Sequence, residues 1–390
     1  MNTKLILTIC IFLSCVSCKS TDSVDFKRQI FIDRIAKEGT ISDVILDTEL
    51  IPLQYKNSEA PKAKKNVIVK DGYIFICDQE NVIHVFSMDG EKISDSRKKI
   101  GHGNGEYYIM TGWTYNKYSK TIELLTTDKM IIYDLNFNFV KSADLPIYKK
   151  HGGRGLFFGH IDDLSATIHL LIPNHLPEFE NSAEVVVFNS ENNTILNKFS
   201  YSEDIITFLS MQNDCFSELG KDSLFFYPPA MSKYIYAMDR QTMNISKMIK
   251  VDWGGNSIQP EQIAQFRGNN KRLMSYLMTC DKTIIIRVMQ SEGFVMAYQK
   301  KGNKVKDSSI LALNLNQNKA YVIKASLNDD SMLPTFSCLE EGNAYIFTRT
   351  EDLSNEVIDA LNATQSYNYF KDSLDNDQVV ILKCHIKNEW

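Results

Sequence analysis

The segment Asn66–Tyr108, NVIVKDGYIFICDQENVIHVFSMDGEKISDSRKKIGHGNGEYY, decides the fold. Asn66–Lys70 and Tyr73–Cys77 are short runs rich in Val, Ile and aromatic residues, split by Asp71-Gly72. Val82–Ser87 and Glu91–Ser94 form a second pair, split by Asp89-Gly90. Asp-Gly between such runs marks a tight hairpin, because glycine enters the left-handed region without a Cβ clash. The segment reads as a four-stranded antiparallel meander followed by a glycine-rich crossing, Gly101–Tyr107.

The rhythm repeats downstream. Met110–Tyr115, Thr121–Leu125, Met130–Asp134 and Phe139–Ala143 form a second unit. Phe157–Ile161, Thr167–Ile172, Glu184–Asn189 and Thr194–Phe199 form a third. Phe86 and Tyr133, each late in a third strand, stand 47 positions apart, and β-propeller blades recur at about 40–50 residues. The fourth unit, Ser223–Tyr227, Lys233–Met238 and Asn244–Val251, lacks one clear strand. The fifth takes in Thr283–Met289, Gly293–Gln299, Ile310–Asn314 and Ala320–Ala325. The sixth has three strands, Thr335–Leu339, Ala344–Arg349 and Val379–Ile386.

Ile41–Leu53 is β-prone and has no local hairpin partner. A ring of sheets needs its ends joined so that no ladder is left sticky, and this segment supplies the strand the sixth unit lacks. The expected fold is all-β, a six-bladed β-propeller of four-stranded antiparallel blades over 41–390, closed by an N-terminal strand. A β-sandwich, or two stacked β domains, is the alternative, and the similar repeated hairpins speak against it. Helical spacing within Gln259–Met278 predicts two short helices. Leu353, Val357 and Leu361, four apart, predict another.

With 44% hydrophobic residues and a formal net charge of −5, the chain is ordinary globular material without the basic stripe that nucleic acid would require. The first residues are more informative. Leu5–Val16 is an apolar run of secretory length, too short to span a bilayer, and Lys19–Asp22 is abruptly polar. Val16-Ser17-Cys18-Lys19 resembles a bacterial lipoprotein lipobox, with Cys15 where Leu is usual three positions earlier. That makes 1–17 a signal peptide, Cys18 the lipidated residue (Cys15 the alternative) and 18–40 a tether, with Phe26–Ile35 expected as helix. The five cysteines beyond the leader are scattered, without metal-like spacing, and read as buried core thiols. The seven histidines form no HxxxH or HxH array, and His84, His169 and His385 fall in strands as structural residues. No metal site is expected from them.

Ile83–Gly90 (IHVFSMDG) followed by Lys99–Tyr107 (KIGHGNGEY) resembles the six-bladed β-propeller lipoproteins of Gram-negative anaerobes, relatives of NHL-type propellers. Asn104 stands where the family has Pro before Gly-Glu-Tyr. The resemblance covers the leader and two blades, and implies fold and location more than chemistry: a cell-envelope, outer-membrane lipoprotein facing the periplasm or the surface.

In such a ring the linkers between blades cross one face. His102, Asn104, Glu106 and Tyr107 on the first crossing, Arg154 on the second and Trp253 after the fourth unit are the candidate ligand-binding residues. Glycines there allow tight paths that aim N–H groups outward, Arg154 offers a fork for a carboxylate, and Trp253 a ring for stacking. Each has a plainer reading as turn, cap, solvated surface or packing. No nucleophile elbow occurs, and the one S-x-x-K match, Ser96–Lys99, lacks its companion motifs. The expected function is a binding module for a glycan, a peptide or an envelope protein. A calcium-dependent lactonase or esterase with a channel metal and a non-catalytic scaffold are the alternatives. Asp22-Ser23-Val24 resembles an O-glycosylation sequon of exported proteins, which makes Ser23 a modification candidate.

Overall fold

The computed structural model describes residues 26–390 except 57–58, 127–128, 145–153, 162–165, 173–183, 190–193, 201–215, 220–221, 227–233, 256, 259–261, 263–264, 267–269, 302–303 and 329–330. The chain begins with β1 (Phe26–Phe31), one helical turn α1 (Ile32–Ile35), β2 (Ala36–Gly39) and β3 (Ile45–Pro52). Blade I is β4 (Lys64–Lys70), β5 (Tyr73–Asp78), β6 (Ile83–Ser87) and β7 (Lys92–Asp95). Blade II is β8 (Gly112–Asn116), β9 (Thr121–Leu125), β10 (Lys129–Tyr133) and β11 (Phe139–Asp144). Blade III is β12 (Arg154–His160), β13 (Ala166–Ile172), β14 (Glu184–Asn189) and β15 (Thr194–Ser200). Blade IV is β16 (Phe216–Leu219), β17 (Ser223–Phe226), β18 (Tyr234–Asp239) and β19 (Ile245–Asp252). Blade V is β20 (Thr283–Ser291), β21 (Phe294–Lys301), β22 (Lys304–Asn314) and β23 (Lys319–Lys324). Blade VI is β24 (Phe336–Glu340), β25 (Asn343–Arg349), β26 (Val379–Ile386) and the N-terminal β3. The first strands of neighbouring blades touch, β24 against both β20 and β4, so they line a central axis.

Closure is as expected. β3 pairs antiparallel with β26, Ile51 opposite Ile381 and Leu50 opposite Leu382, all four buried. The Asp71-Gly72 hairpin has both central residues at positive φ, 51° and 78°, the geometry that matches strand twist. Glu292-Gly293 and Glu341-Gly342 repeat that geometry in blades V and VI. At the other turn of blade I a Cβ on Gly90 would meet the Pro52 carbonyl oxygen at 2.1 Å, so only glycine lets this turn approach the closing strand.

The tether and helix expected for 18–40 and Phe26–Ile35 are corrected where the chain is described. β1 adds parallel to β19 as a fifth strand of blade IV, and β2 adds parallel to β23 on blade V. Ile30 and Ile32 sink into the core shared with Ile249 and Trp253, which is why this segment is docked on the ring and not a solvated leash. Arg28 donates to Asn318 Oδ1 at 2.8 Å across the blade V turn, and Gly255 N donates to Asp33 Oδ2 at 3.1 Å. The N-terminal segment is thus a belt along the outer edges of blades IV, V and VI. The strand missing from the fourth unit is β16, a four-residue piece.

Of the two helices expected within Gln259–Met278, one is described, α2 (Asn270–Thr279), with Leu277 in the same core; most of the other falls outside the described residues. The Leu353–Leu361 pattern folds as α3 (Asn355–Ala360), capped by the Ser354 hydroxyl, which accepts from Val357 N. A further helix, α4 (Thr364–Phe370), packs on β3, where Ser366 Oγ accepts from Leu50 N at 2.8 Å and Leu361 O accepts from Thr48 Oγ1 at 2.5 Å. This insertion covers the outer edge of the closing strand.

The seam between blades VI and I carries a lysine. β24 has a bulge between Phe336 and Cys338, and Lys64 Nζ reaches into it, donating to Ser337 Oγ at 2.8 Å and to the carbonyls of Thr335 and Phe347 at 3.3 and 3.2 Å. Arg287 reaches the same strand from blade V, donating to Phe336 O at 3.0 Å and to Ser337 O. Burial first, and Arg287 second, push the Lys64 ammonium down to about 8. The unfolded chain therefore holds that proton more tightly, and stability gains as pH rises through the interval above 8. Between about pH 7.5 and 9.5 the free energy of unfolding should rise by roughly 1–2 kcal/mol, and Lys64→Met should flatten that slope in urea titrations.

Candidate functional site

The described Asp71-Gly72, Glu292-Gly293 and Glu341-Gly342 hairpin turns, between first and second strands, lie at one end of the axis, and the linker from blade I to blade II lies at the other. The sequence-derived candidates sit on the linker face. Glu106 turns back into its own loop, its Oε2 accepting from Gly103 N at 2.8 Å, while Glu106 N donates to Gly103 O. A Cβ on Gly101 would meet that carboxylate at 2.2 Å and one on Gly103 at 2.9 Å, so the glycines make room for the cap. Tyr107 is buried; its hydroxyl donates to Asn81 O at 2.7 Å and shares a 2.6 Å hydrogen bond with Ser96 Oγ. Burial raises its hydroxyl above the ordinary tyrosine range, with the Ser96 bond working the other way. From blade II, Tyr133 OH donates to Gly105 O at 2.8 Å. Glu106 and Tyr107 thus hold the loop, the plainer of their two readings.

What the loop presents is different. His102 and Asn104 are exposed, and the His102 ring stacks on Tyr108, with centroids 4.5 Å apart and planes 28° off parallel. Tyr108 is 64% exposed, and Ile109 beside it 53%. Tyr108 and Ile109 face outward between the buried Tyr107 and Met110.

The other candidates are dispersed. Arg154 opens β12, not a loop, and the glycine-rich run before it lies outside the described residues, as do Cys15, Cys18 and Ser23. Trp253 is 9% exposed and packs with Ile258 and Leu277, so its ring has no open face for stacking. The buried His84 meets Asp78 Oδ2 at 3.1 Å, and Asp78 Oδ1 accepts from Glu80 N and Val82 N; the pair shapes a turn of blade I. His385 pairs with Asp47 across the closing ladder. Cys77 and Cys384 are buried core thiols, as read from their strands, and burial pushes the Cys384 thiol up to about 12. Among the described residues no three His, Cys, Asp or Glu side chains converge as metal ligands would.

Sequence reasoning passed over a polar cluster at the hairpin face, where Asn116, Glu123 and His160 come from blades II and III. His160 Nε2 meets Glu123 Oε2 at 2.9 Å, and Asn116 Nδ2 donates to Glu123 Oε1 at 3.0 Å. Asn116 Oδ1 accepts from Tyr118 N at 3.0 Å and Ser119 N at 3.3 Å. That fixes the amide orientation, so the NH2 group is what faces His160 Nδ1 at 3.2 Å. The imidazole is then held as the tautomer that donates from Nε2 and accepts at Nδ1, with both nitrogens engaged. Burial alone would raise the Glu123 carboxyl, but His160 and the Asn116 and Thr121 hydrogen bonds hold it below the ordinary range. Arg240, from a turn of blade IV, donates to Tyr118 OH and to Ile161 O, joining three blades at this face. A signal for this cluster was absent because its members are single polar residues on three separate strands, Asn116 and His160 at strand ends and Glu123 mid-strand.

Among solved structures, one from Bacteroides fragilis, a candidate exported protein, superposes with a TM-score of 0.70 at 16% identity, over 92% of this chain and 99% of that one. At that identity the likeness is one of fold. U3-55K (TM-score 0.43, 9% identity, 77% and 78% covered) and the Pan2 WD40 domain of Neurospora crassa (0.37, 8%, 87% and 97%) are more distant. No curated protein sequence matches this chain. The model of the family DUF5128, 6-bladed beta-propeller, matches residues 19–348, and the chain belongs to that family.

Proposed function

We propose that this propeller is an exported, lipid-anchored binding module that holds a glycan, a peptide or an envelope protein against its linker face. The observation that carries the reading is the His102–Tyr108 pair, an exposed stack on a loop locked from below by Tyr107, Tyr133 and the Glu106 cap. Aromatic rings presented on a rigid backbone give contact area at small entropic cost. The His160–Glu123 pair at the hairpin face has both ring nitrogens engaged, which favours a structural role for it over general acid–base work.

Export and anchoring rest on the leader: the short apolar run, the switch to polar residues at Lys19, and Cys18 at the boundary. Lipid at Cys18 would place the ring close to a bilayer, since Phe26 follows eight positions later, a span of at most about 28 Å. Cells fed a clickable fatty acid should label the wild-type protein, with label lost in Cys18→Ala and kept in Cys15→Ala; label retained by Cys18→Ala would move or remove the anchor.

Binding is tested with the protein on glycan and peptide arrays, followed by titration of the best hit. Tyr108→Ala and His102→Ala are expected to weaken that hit about 5- to 10-fold while melting like wild type, as loss of an aromatic contact implies. Undiminished binding by both variants would contradict the assignment to this face.

A further inference from the structure

The rim of the ring is protected unevenly. Blades IV and V carry β1 and β2 on their outer strands, and blade VI carries α3 and α4. In blade II, among the described residues, β11 ends its sheet with no strand beyond it, and all of it but Ala143 is exposed. Phe139 and Val140 on β11 are both open to water, as are Ile100 and Ile109 on the linker from blade I. The two stretches form one surface, since a Cβ on Gly105 in that linker would lie 2.7 Å from the Phe139 ring. Large apolar side chains gathered at one place mark an interaction surface. This one is also basic. Lys98 stands two residues before Ile100 and Lys141 next to Val140, both exposed, and among the described residues neither has an ion pair.

The chain itself carries a surface of opposite sign. Between Thr350 and Gln378 the α3–α4 insertion holds seven Asp and Glu against one Lys, more negative charge than the net −5 of the whole chain. All seven acids are exposed, and with them the insertion presents the Tyr369 ring, backed edge-on by Phe370. Like charges gathered this way repel one another until a partner neutralises them.

Blades VI and II flank blade I. A two-fold axis parallel to the ring axis and just outside blade I would set the insertion of each copy against the Ile100–Val140 surface of the other, so the same contact is made twice. Both rings then face the same way, as anchoring of two copies in one bilayer would require. We infer that the chain forms this two-fold dimer, with the basic, apolar rim of blades I and II in one copy receiving the acidic insertion of the other. An acidic glycan would match the lysines and leave Ile100, Phe139 and Val140 against its hydroxyls, whereas the insertion offers carboxylates and an aromatic ring together. The pairing goes beyond the linker-face reading and uses neither His102 nor Tyr108.

Sedimentation velocity of the full chain, from about 1 to 100 µM, tests it. The dimer fraction should rise with concentration in about 50 mM NaCl, and the dissociation constant should rise about tenfold or more in about 500 mM. Lys98→Glu with Lys141→Glu, and separately Asp372→Lys with Asp375→Lys, should each weaken the dimer about tenfold or more at unchanged melting temperature. An equimolar mixture of the two reversed proteins should associate about as tightly as wild type, because each surface again meets its opposite. Should either reversal fail to fold, Tyr369→Ala should still weaken the dimer about fivefold. A dimer indifferent to salt, to both reversals or to Tyr369→Ala, or a mixture no tighter than its components, would overturn the proposal. A monomer at every concentration would also overturn it and leave this rim to an acidic partner of another kind.

Discussion

One ladder holds the molecule together. β3 and β26 are joined by backbone hydrogen bonds although Glu49 and Lys383, opposite one another and 3.3 Å apart at their charged ends, are 334 residues apart in the chain. The four core strands of every other blade come from one continuous stretch and pair locally, with β1 and β2 added at the outer edges of blades IV and V. Blade VI alone needs both ends of the chain, so the ring exists only when this pairing does. Non-local pairing of this kind orders the whole loop between its partners before it is rewarded. Once made, it places β24 against β4 and sets all six inner strands around one axis.

Several features guard that closure. The α3–α4 insertion covers the outer edge of β3, and Ser366 accepts the Leu50 N–H that would otherwise face water. Lys64 and Arg287 approach β24 from its two neighbours and occupy its carbonyls around the bulge. The belt of β1 and β2 carries the same protection around blades V and IV. Burying two cations close together is a cost, since each disfavours the other's charge, and among the described residues the oxygens that receive the Lys64 ammonium are neutral. The cost is met at the seam where the inner edge of the closing blade would otherwise stay open.

Both ends of the axis inherit their geometry from this ring. On the linker face the Glu106 cap and the Tyr107 anchor turn a glycine-rich run into a fixed platform. On the hairpin face, residues from three blades meet only because the ring sets their strands side by side. Much of the architecture was legible in the sequence: the Asp-Gly hairpins, the period between Phe86 and Tyr133, and the orphan segment that supplies β3. These signals are local, or follow from counting strands against a closed ring. The belt was misread because polar residues between Phe26 and Phe31 hide a strand that gains its partner some 220 residues later. Helix α4 went unseen for want of an apolar stripe; Tyr369 is 81% exposed. Glu292-Gly293 and Glu341-Gly342 make the same turn as Asp71-Gly72 without its compositional flag. At the sites the limit is sharper. Tyr107 and Tyr108 are adjacent and identical, and only the fold decides which is anchor and which is platform. Asn116, Glu123 and His160 share no local pattern at all.

The claim on which these readings rest is that Ile45–Pro52 is an integral strand of the last blade. Site-resolved hydrogen exchange of the native protein reports on it most directly. The backbone amides of Glu49 and Ile51, which face β26, should exchange as slowly as those of Ile381 and Leu382, opening only with the ring as a whole. Exchange of the β3 amides at the rate of an unstructured chain, while the blade I amides stay protected, would contradict it.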